Sequence, residues 1–233
     1  MEQNKTGKYL KYAIGEIVLV VIGILIALSI NNWNDKRKSS NLEIKMLQEI
    51  KTGLKSDLSD ITYNISAHEK ILDSQRKIIE WLDSKEPYKD TLSYHFSVVN
   101  NSTVFVSKEA PYEALKEMGV KLIKNDTLRN KISQVYDLDF DYYRQHISMY
   151  NDILFKSWKE YNKPYFGATL FLFNNPNNRM KPLDINKIRN ENDYKYYIKT
   201  IKEFNAFYIK RIMQRAKIST EELIQMIEKE LNK

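Results

Sequence analysis

Residues 13–32 read AIGEIVLVVIGILIALSINN, and this stretch decides how the chain begins. Residues 17–28 contain no polar side chain. A helix of this length measures about 30 Å, which matches the hydrocarbon core of a bilayer. We therefore predict a transmembrane helix over 13–32. A buried helix of a soluble protein is the alternative, but such a helix is seldom apolar on all sides with basic residues beyond both ends.

The flanks of this segment carry residues that are typical of membrane–water interfaces. Tyr and Trp rings favour that depth, and Lys and Arg contact anionic head groups. The predicted interface anchors are Tyr9, Tyr12, Trp33, Lys36, Arg37 and Lys38. Membrane lipid is therefore the first predicted partner.

Three regions follow: a basic N-terminal tail (1–12), the transmembrane helix (13–32) and a soluble helical domain (33–233). A cleavable signal peptide is the main alternative, with a small-residue site at Ala27-Leu28-Ser29. The long apolar run and Glu16 at its start favour an uncleaved anchor. The short tail and the large following domain predict a single-pass protein of the bacterial inner membrane. Its N-terminus is expected in the cytoplasm and its C-terminal domain in the periplasm.

A small-residue pattern inside the segment predicts a helix-packing face. Gly23 and Ala27 are four residues apart, and Gly15 lies two turns earlier. Glu16 is the one charged residue of the segment; it is either tolerated near the interface or pairs with a partner helix. The packing candidates are therefore Gly15, Glu16, Gly23 and Ala27, and the partner is a second copy of the chain or another envelope protein.

The rest of the chain favours long helices. Gly and Pro are scarce, with 6 and 5 residues, while Lys, Glu, Leu and Ile are common. A heptad-like stripe typical of coiled coils and bundles runs through Leu54, Leu58, Ile61, Ile65, His68 and Leu72. The predicted fold class is mainly α: an N-terminal transmembrane helix followed by an antiparallel helical bundle with long helices. His68 is interpreted as a packed core residue.

Capping signals predict the boundaries of the later helices. Ser107 and Asn125 are predicted N-caps, and Gly119 ends the helix that follows Ser107. Residues 219–222 read STEE, a capping box that predicts the start of a final helix. Residues 88–106 are expected to be irregular, with a short strand or a loop that crosses the bundle at 98–106. A short apolar run at 169–173 is expected to form a loop.

Little in the chain indicates chemistry. The absence of Cys excludes disulfides, thiol catalysis and Cys-ligated metals. Asp137, Asp139 and Asp141 alternate as in a calcium loop, but Tyr142 stands where that loop needs Gly, so we interpret them as solvated. We predict no enzyme activity and no catalytic, cofactor or metal site. The net charge of +7 is spread over the chain, which does not favour nucleic-acid binding.

A family resemblance enters at residues 7–38, GKYLKYAIGEIVLVVIGILIALSINNWNDKRK. This string is similar to the N-terminus of a family of uncharacterised Bacteroidetes membrane proteins that share a domain of unknown function. Residues 112–119 (YEALKEMG) resemble that family's Tyr-Glu-x-Leu-x-x-x-Gly element, and Leu128-Arg129-Asn130-Lys131-Ile132 with Tyr136 resembles the stretch after it. The resemblance implies a single-pass helical membrane protein with no established activity, so it transfers no catalytic residues.

These observations favour a membrane-anchored, non-enzymatic interaction or scaffold protein of the cell envelope. The alternative is an extracytoplasmic small-molecule sensor or accessory domain, which needs a pocket with convergent polar groups. A pilin-like assembly subunit is a weaker alternative, because pilins place an aromatic residue and then Glu at the fifth position after the cleaved Gly, whereas Glu16 follows Gly15 directly.

Overall fold

The computed structural model of the protein describes residues 3–167, 177 and 179–233, and of residues 3–12 and Tyr208 it describes the backbone only. This described part is helical and has no β-strand, apart from an isolated antiparallel bridge between Phe166 and Pro182. The mainly α class, with a long apolar N-terminal helix followed by further helices, is confirmed. The loop expected at 169–173 lies outside the described residues.

Eight α-helices lie in the described part of the chain. They are α1 (Gln3–Asp83), α2 (Leu92–Val98), α3 (Ala110–Met118), α4 (Asp126–Ser133), α5 (Asp141–Tyr161), α6 (Ile185–Asn190), α7 (Asn192–Phe204) and α8 (Lys210–Leu231). A short 3₁₀ turn occupies Val120–Leu122. A first π-helix (Gln134–Phe140) joins α4 to α5, and a second π-helix (Asn205–Ile209) joins α7 to α8.

The chain divides into two compact units, one ending at Gln48 and one that extends from Glu49 to Lys233. In the first unit every side chain from 13 to 33 is exposed. The most apolar window of this helix has a mean hydropathy of 2.8, so α1 is long and apolar enough to cross a membrane.

Three helical rods form the second unit: rod 1 is residues 49–83 of α1, rod 2 is residues 126–161, and rod 3 is residues 192–231. Rods 1 and 2 run in the same direction, since contacts advance together from Asn64–Tyr143 to Gln75–Tyr150. Rod 3 runs opposite to both, as the ion pairs Lys55–Glu228, Lys199–Asp83 and Lys131–Glu222 show. Two parallel neighbours need a long return connection, and residues 84–125 provide it.

The buried line of rod 1 repeats with spacings of four and three residues. It consists of Ile50, Leu54, Asp57, Ile61, Asn64, His68, Ile71, Gln75, Ile78 and Leu82, all of which are buried. The sequence predicted a heptad stripe, but it placed Leu58 and Ile65 on it, and both are only half-buried. The prediction chose these two apolar residues because their neighbours Asp57 and Asn64, which occupy the buried line, are polar.

The polar residues of the buried line hydrogen-bond residues 99–109, which have no regular secondary structure apart from a turn at 99–100. We call these residues the extended segment, and they cross the bundle beside rod 1. The Gln75 amide donates to the Val99 carbonyl and the Asn64 amide to the Val104 carbonyl, each at 2.9 Å. The Lys108 N–H donates to Asp57 Oδ1 at 2.8 Å. A chain that packs on a helix outside regular secondary structure lacks partners for its inward backbone groups, and side chains of rod 1 satisfy several of them. Of the two expectations for 98–106, the crossing loop is the one observed.

Close approach of this segment depends on Gly53. A Cβ at this position would lie 3.3 Å from both the Cβ and the carbonyl oxygen of Lys108. The missing side chain therefore lets the extended segment approach the backbone of rod 1.

Several helix boundaries differ from the sequence prediction. The Asn125 side chain caps α4 by accepting from the Leu128 N–H, and Gly119, at φ +93°, ends α3; both were predicted. The Ser107 cap is wrong, because α3 begins only at Ala110 and the Ser107 hydroxyl instead donates to Glu109. Residues 88–106 are not wholly irregular, since α2 buries Phe96 against aromatic rings of Trp81, Phe166 and Tyr194.

The capping box at 219–222 is also wrong. Both Ser219 and Thr220 lie buried inside α8, which continues through them. The Thr220 hydroxyl donates to the Ala216 carbonyl one turn earlier, at 2.7 Å. The Ser219 hydroxyl donates to Asp139 at 2.6 Å, so tertiary contacts satisfy groups that would otherwise favour a helix start.

Asp139 corrects a second prediction. We expected Asp137, Asp139 and Asp141 to be solvated, but the Asp139 side chain is only 1% exposed and pairs with Arg215 at 2.8 Å. The carboxylate therefore connects rod 2 to rod 3 at the first π-helix. Asp137 accepts a hydrogen bond from the Tyr112 hydroxyl at 2.5 Å, and Asp141 pairs with Arg144 at the surface.

We expect Asp139→Ala to lower the free energy of unfolding by about 2 kcal/mol, since it leaves the buried Ser219 hydroxyl and Arg215 without their acceptor. Asp141→Ala is the matched control, because it removes an exposed ion pair worth about 0–1 kcal/mol. Urea unfolding of the full chain in mild detergent, followed by circular dichroism, measures both. Equal losses in the two variants would contradict the assigned role of Asp139.

Candidate functional site

A buried polar junction connects all three rods and the extended segment. We define it as His68, Gln75, Thr103, Tyr150 and Asn205, in which His68 and Asn205 are each 2% exposed. His68 Nδ1 lies 3.0 Å from Asn205 Oδ1, and His68 Nε2 lies 3.1 Å from the Thr103 hydroxyl. The Asn205 amide donates to Gln75 Oε1 at 3.1 Å, and the Gln75 amide in turn donates to the Tyr150 hydroxyl oxygen at 3.3 Å.

The partners of His68 assign its tautomer. The Thr103 backbone N–H points to His68 Nε2 at 3.3 Å, so Nε2 accepts. Nδ1 then carries the proton and donates to the Asn205 amide oxygen. Burial lowers the pKa of His68 to about 4, and the hydrogen bond that His68 donates to Asn205 opposes this shift only in part. His68 is therefore neutral at neutral pH, and both of its nitrogens are engaged.

A cleft of about 240 Å³ opens beside this junction, between rod 1 and the second π-helix. His68 and Asn205 contribute its polar floor. The remaining lining residues are Ile65, Glu69, Leu72, Arg76, Ile209 and Lys210. The π-helix supplies Asn205 and Ile209, and α8 begins at Lys210, so the irregular turn shapes one wall; such turns are frequent at functional sites.

The rim of the cleft carries three charged side chains that are not paired within the protein's described part. Arg76, Lys210 and Glu69 are exposed, and within the described part of the chain their side chains form no hydrogen bond or ion pair. With His68 neutral, the lining has a formal charge of +1. The cleft thus combines apolar walls, a neutral polar floor and two available cations.

A second buried titratable group, Asp57, lies on rod 1 about three turns before His68. Its side chain accepts from the Lys108 N–H through Oδ1, while Oδ2 and the hydroxyl of nearby Tyr136 form no hydrogen bond within the described part of the chain. Burial raises the pKa of Asp57 to about 6, against the lowering effect of the Lys108 backbone hydrogen bond. The carboxyl group is close to half-protonation in mildly acidic solution.

The predicted packing residues lie on the part of α1 that belongs to the first unit. A Cβ added at Gly15 or Gly23 would meet no atom within 4 Å. At about 100° per residue, Glu16, Gly23 and Ala27 lie within about 40° of one another, and Gly15 lies about 80° from Gly23. Three of the four candidates therefore share one face of the helix, and their packing role stays a prediction.

The interface anchors can be located in part. Trp33 is exposed, and the Arg37 guanidinium lies 5.1 Å from the centre of its ring. Lys36 and Lys38 are on the same stretch of α1. Tyr9 and Tyr12 have side chains outside the described residues. The role of these groups at a membrane interface stays a prediction.

No cluster of three or more His, Asp or Glu side chains suited to a metal ion occurs among the described residues. The sequence marked His68 as a core residue, which is confirmed, but it gave no indication of the cleft. Asn205 was missed because it lies between Phe204 and Ala206 in a stretch that reads as continuous amphipathic helix. The one available signal was its position, four residues after Ile201 and seven after Ile198, which places an amide on an apolar helical face.

A family model for a family of unknown function (DUF6090) matches residues 16–172, more than half of the chain. The chain belongs to this family. The match begins at Glu16 and includes rods 1 and 2 and the extended segment. Searches of curated proteins and of solved structures gave no match. Family membership therefore supplies no activity, and the cleft and the apolar helix remain the features from which a role can be argued.

We expect His68 and Asp57 to change the pH dependence of the unfolding free energy in opposite directions. Unfolded His68 titrates near 6.5 and folded His68 near 4, so the unfolded chain binds the extra proton and stability rises with pH in that window. Unfolded Asp57 titrates near 3.8 and folded Asp57 near 6, so the folded chain holds the extra proton and stability falls as pH rises. Between about pH 4 and 6 these two contributions oppose each other in the natural chain.

We expect Asp57→Asn to steepen the rise of unfolding free energy between pH 4 and 6, and His68→Gln to turn it towards a fall. Each change should amount to about 1.4 kcal/mol per pH unit relative to the natural chain. Urea unfolding at four pH values in this range, in non-ionic detergent, measures the slopes. Three parallel curves would contradict the assignment.

Proposed function

We propose that this protein is a membrane-anchored, non-enzymatic interaction or scaffold protein of the bacterial cell envelope, with one helix in the inner membrane. The resemblance of residues 7–38 to membrane proteins of Bacteroidetes supports this setting. Membership of a family of unknown function is compatible with it and adds no specific role.

The observation that carries the proposal is the exposure of the apolar segment. Twelve large apolar side chains from Ile14 to Ile30 are each about half exposed or more. Burying a Leu, Ile or Val side chain is worth about 1.5–3 kcal/mol, so leaving all twelve in water would cost about 20 kcal/mol or more. These apolar side chains point outward on all sides of the helix, so they require an apolar medium around it. A lipid bilayer provides such a medium.

Basic and aromatic residues at the end of the segment support the same setting. Arg37 stacks on Trp33 directly after the apolar run, in the arrangement expected where a helix leaves the hydrocarbon region. The proposed orientation places the N-terminus in the cytoplasm and residues 33–233 in the periplasm.

The anchor and its orientation can be tested with single cysteines, since the natural chain has no Cys. We expect Lys229→Cys to react with a membrane-impermeant maleimide in intact spheroplasts and Asn4→Cys to react only after lysis. Both variants should remain in the membrane pellet after alkaline carbonate extraction. Full-length protein in the soluble fraction would overturn the anchor, whereas reversed labelling would overturn only the orientation.

The proposed partner at the helix-packing face is a second copy of the chain. Ala27→Cys lies on the face shared with Glu16 and Gly23, and Leu25→Cys lies about 160° away on the same helix as its matched control. In native membranes under mild oxidation, we expect a disulfide-linked dimer of Ala27→Cys and little of Leu25→Cys. Gly23→Leu, added to Ala27→Cys, should reduce the crosslink.

Equal crosslinking at both positions would indicate random collision and would contradict a specific face. A crosslink of Ala27→Cys to a protein of different mass would instead identify another envelope protein as the partner. The contribution of Glu16 is measured by Glu16→Gln in the same background.

A second candidate function is that of an extracytoplasmic small-molecule sensor or accessory domain. The cleft beside the polar junction favours it, because apolar walls with a few convergent polar groups are typical of ligand sites. The buried junction would then position the floor of the site and the anchor would hold the domain at the membrane.

A further inference from the structure

The cleft beside the polar junction has features of a binding site whose ligand class can be argued from its walls. Its volume, about 240 Å³, is below the ~300–1,000 Å³ typical of sites for drug-sized molecules, so the ligand is small. Three apolar side chains, those of Ile65, Leu72 and Ile209, contribute to its lining. A ligand that fills it therefore contains a short apolar part.

The charges at the rim indicate the other part of the ligand. Arg76 and Lys210 line the cleft from two different rods, and within the described residues neither forms an ion pair. Most neighbouring cations on rods 1 and 3 differ in this respect: Lys77 pairs with Asp73, Lys199 with Asp83 and Arg215 with Asp139. A guanidinium group binds a carboxylate through two parallel hydrogen bonds, and an ammonium group adds a point charge.

The remaining lining groups restrict the ligand charge. Glu69 contributes one negative charge, and His68 is neutral because both of its nitrogens lie in the buried junction. The formal charge of +1 is balanced by a single negative charge, and Glu69 disfavours a second one through like-charge repulsion.

We propose that this cleft binds a small organic monocarboxylate with a short apolar tail, held by Arg76 and Lys210 at the rim and by Ile65, Leu72 and Ile209 along the walls. The carboxylate accepts hydrogen bonds from Arg76 and Lys210, and the tail lies above His68 and Asn205. The inference rests on the second candidate function, the sensor, and names its ligand class; it does not depend on the anchor or on the packing face.

The test uses the full chain in lipid nanodiscs with methyl-labelled Ile and Leu, and hexanoate as the probe. We expect hexanoate to shift the Ile65 and Ile209 methyl signals saturably, with a Kd of about 1 mM or tighter. Empty nanodiscs correct for partition of hexanoate into lipid. Hexanol, hexylammonium and inorganic phosphate are titrated in parallel, because they remove the charge, reverse it, or remove the tail.

Matched variants separate the rim cations from general electrostatics. Arg76→Gln and Lys210→Gln should each weaken hexanoate binding about tenfold, since each removes a charged hydrogen bond. Lys70→Gln removes the same charge from rod 1 outside the cleft and should leave the Kd unchanged within about twofold. Equal weakening by all three variants would overturn the proposed site.

The other outcomes are also decisive. Shifts with hexylammonium or hexanol that match those with hexanoate would overturn the monocarboxylate class while leaving the cleft as a ligand site. Phosphate binding as tight as that of hexanoate would overturn the role of the apolar walls. No shift with any probe would overturn both this inference and the sensor candidate, while the membrane-anchored interaction role would stand on its own tests.

Discussion

The second unit depends on hydrogen bonds between the buried line of rod 1 and the extended segment 99–109. An extended chain that crosses a helical bundle exposes its backbone groups to an apolar interior, and each group left unpaired costs about 1–3 kcal/mol. Asp57, Asn64, His68 and Gln75 each bond a backbone or side-chain group of this segment. Their spacing along rod 1 matches the segment's antiparallel path, so the polar residues fix its register as well as satisfy it.

Polar residues on a heptad line stabilise less than apolar ones but specify one arrangement. In this protein the same residues also contact rods 2 and 3. Gln75 and Asn64 also contact the hydroxyls of Tyr150 and Tyr143 on rod 2, and His68 contacts Asn205 on rod 3. A parallel pair of rods with a long return connection has few local constraints on its alignment. The polar line supplies these constraints by connecting rod 1 to each of its neighbours.

Sequence patterns predicted the features that depend on local chemistry. The apolar run, the Asn125 cap, the Gly119 stop and the burial of His68 follow from residue type and spacing within one or two turns. The buried line was misread because Asp57, Asn64 and Gln75 look like surface residues, and only the extended segment, far along the chain, gives them partners. The predictions for Ser219 and Asp139 were wrong for the same reason, because these two residues form a hydrogen bond with each other between rod 3 and rod 2.

The two π-helices show a further limit and bear on the cleft. An extra residue within a helical turn changes which side chains face inward after it, without leaving a mark in the hydrophobic pattern. In rod 3 this turn starts at Asn205, which bonds His68, and ends at Ile209, which lines the cleft. One short stretch of rod 3 therefore contributes both to the floor and to the wall of the cleft, so the polar junction and the candidate site share the second π-helix.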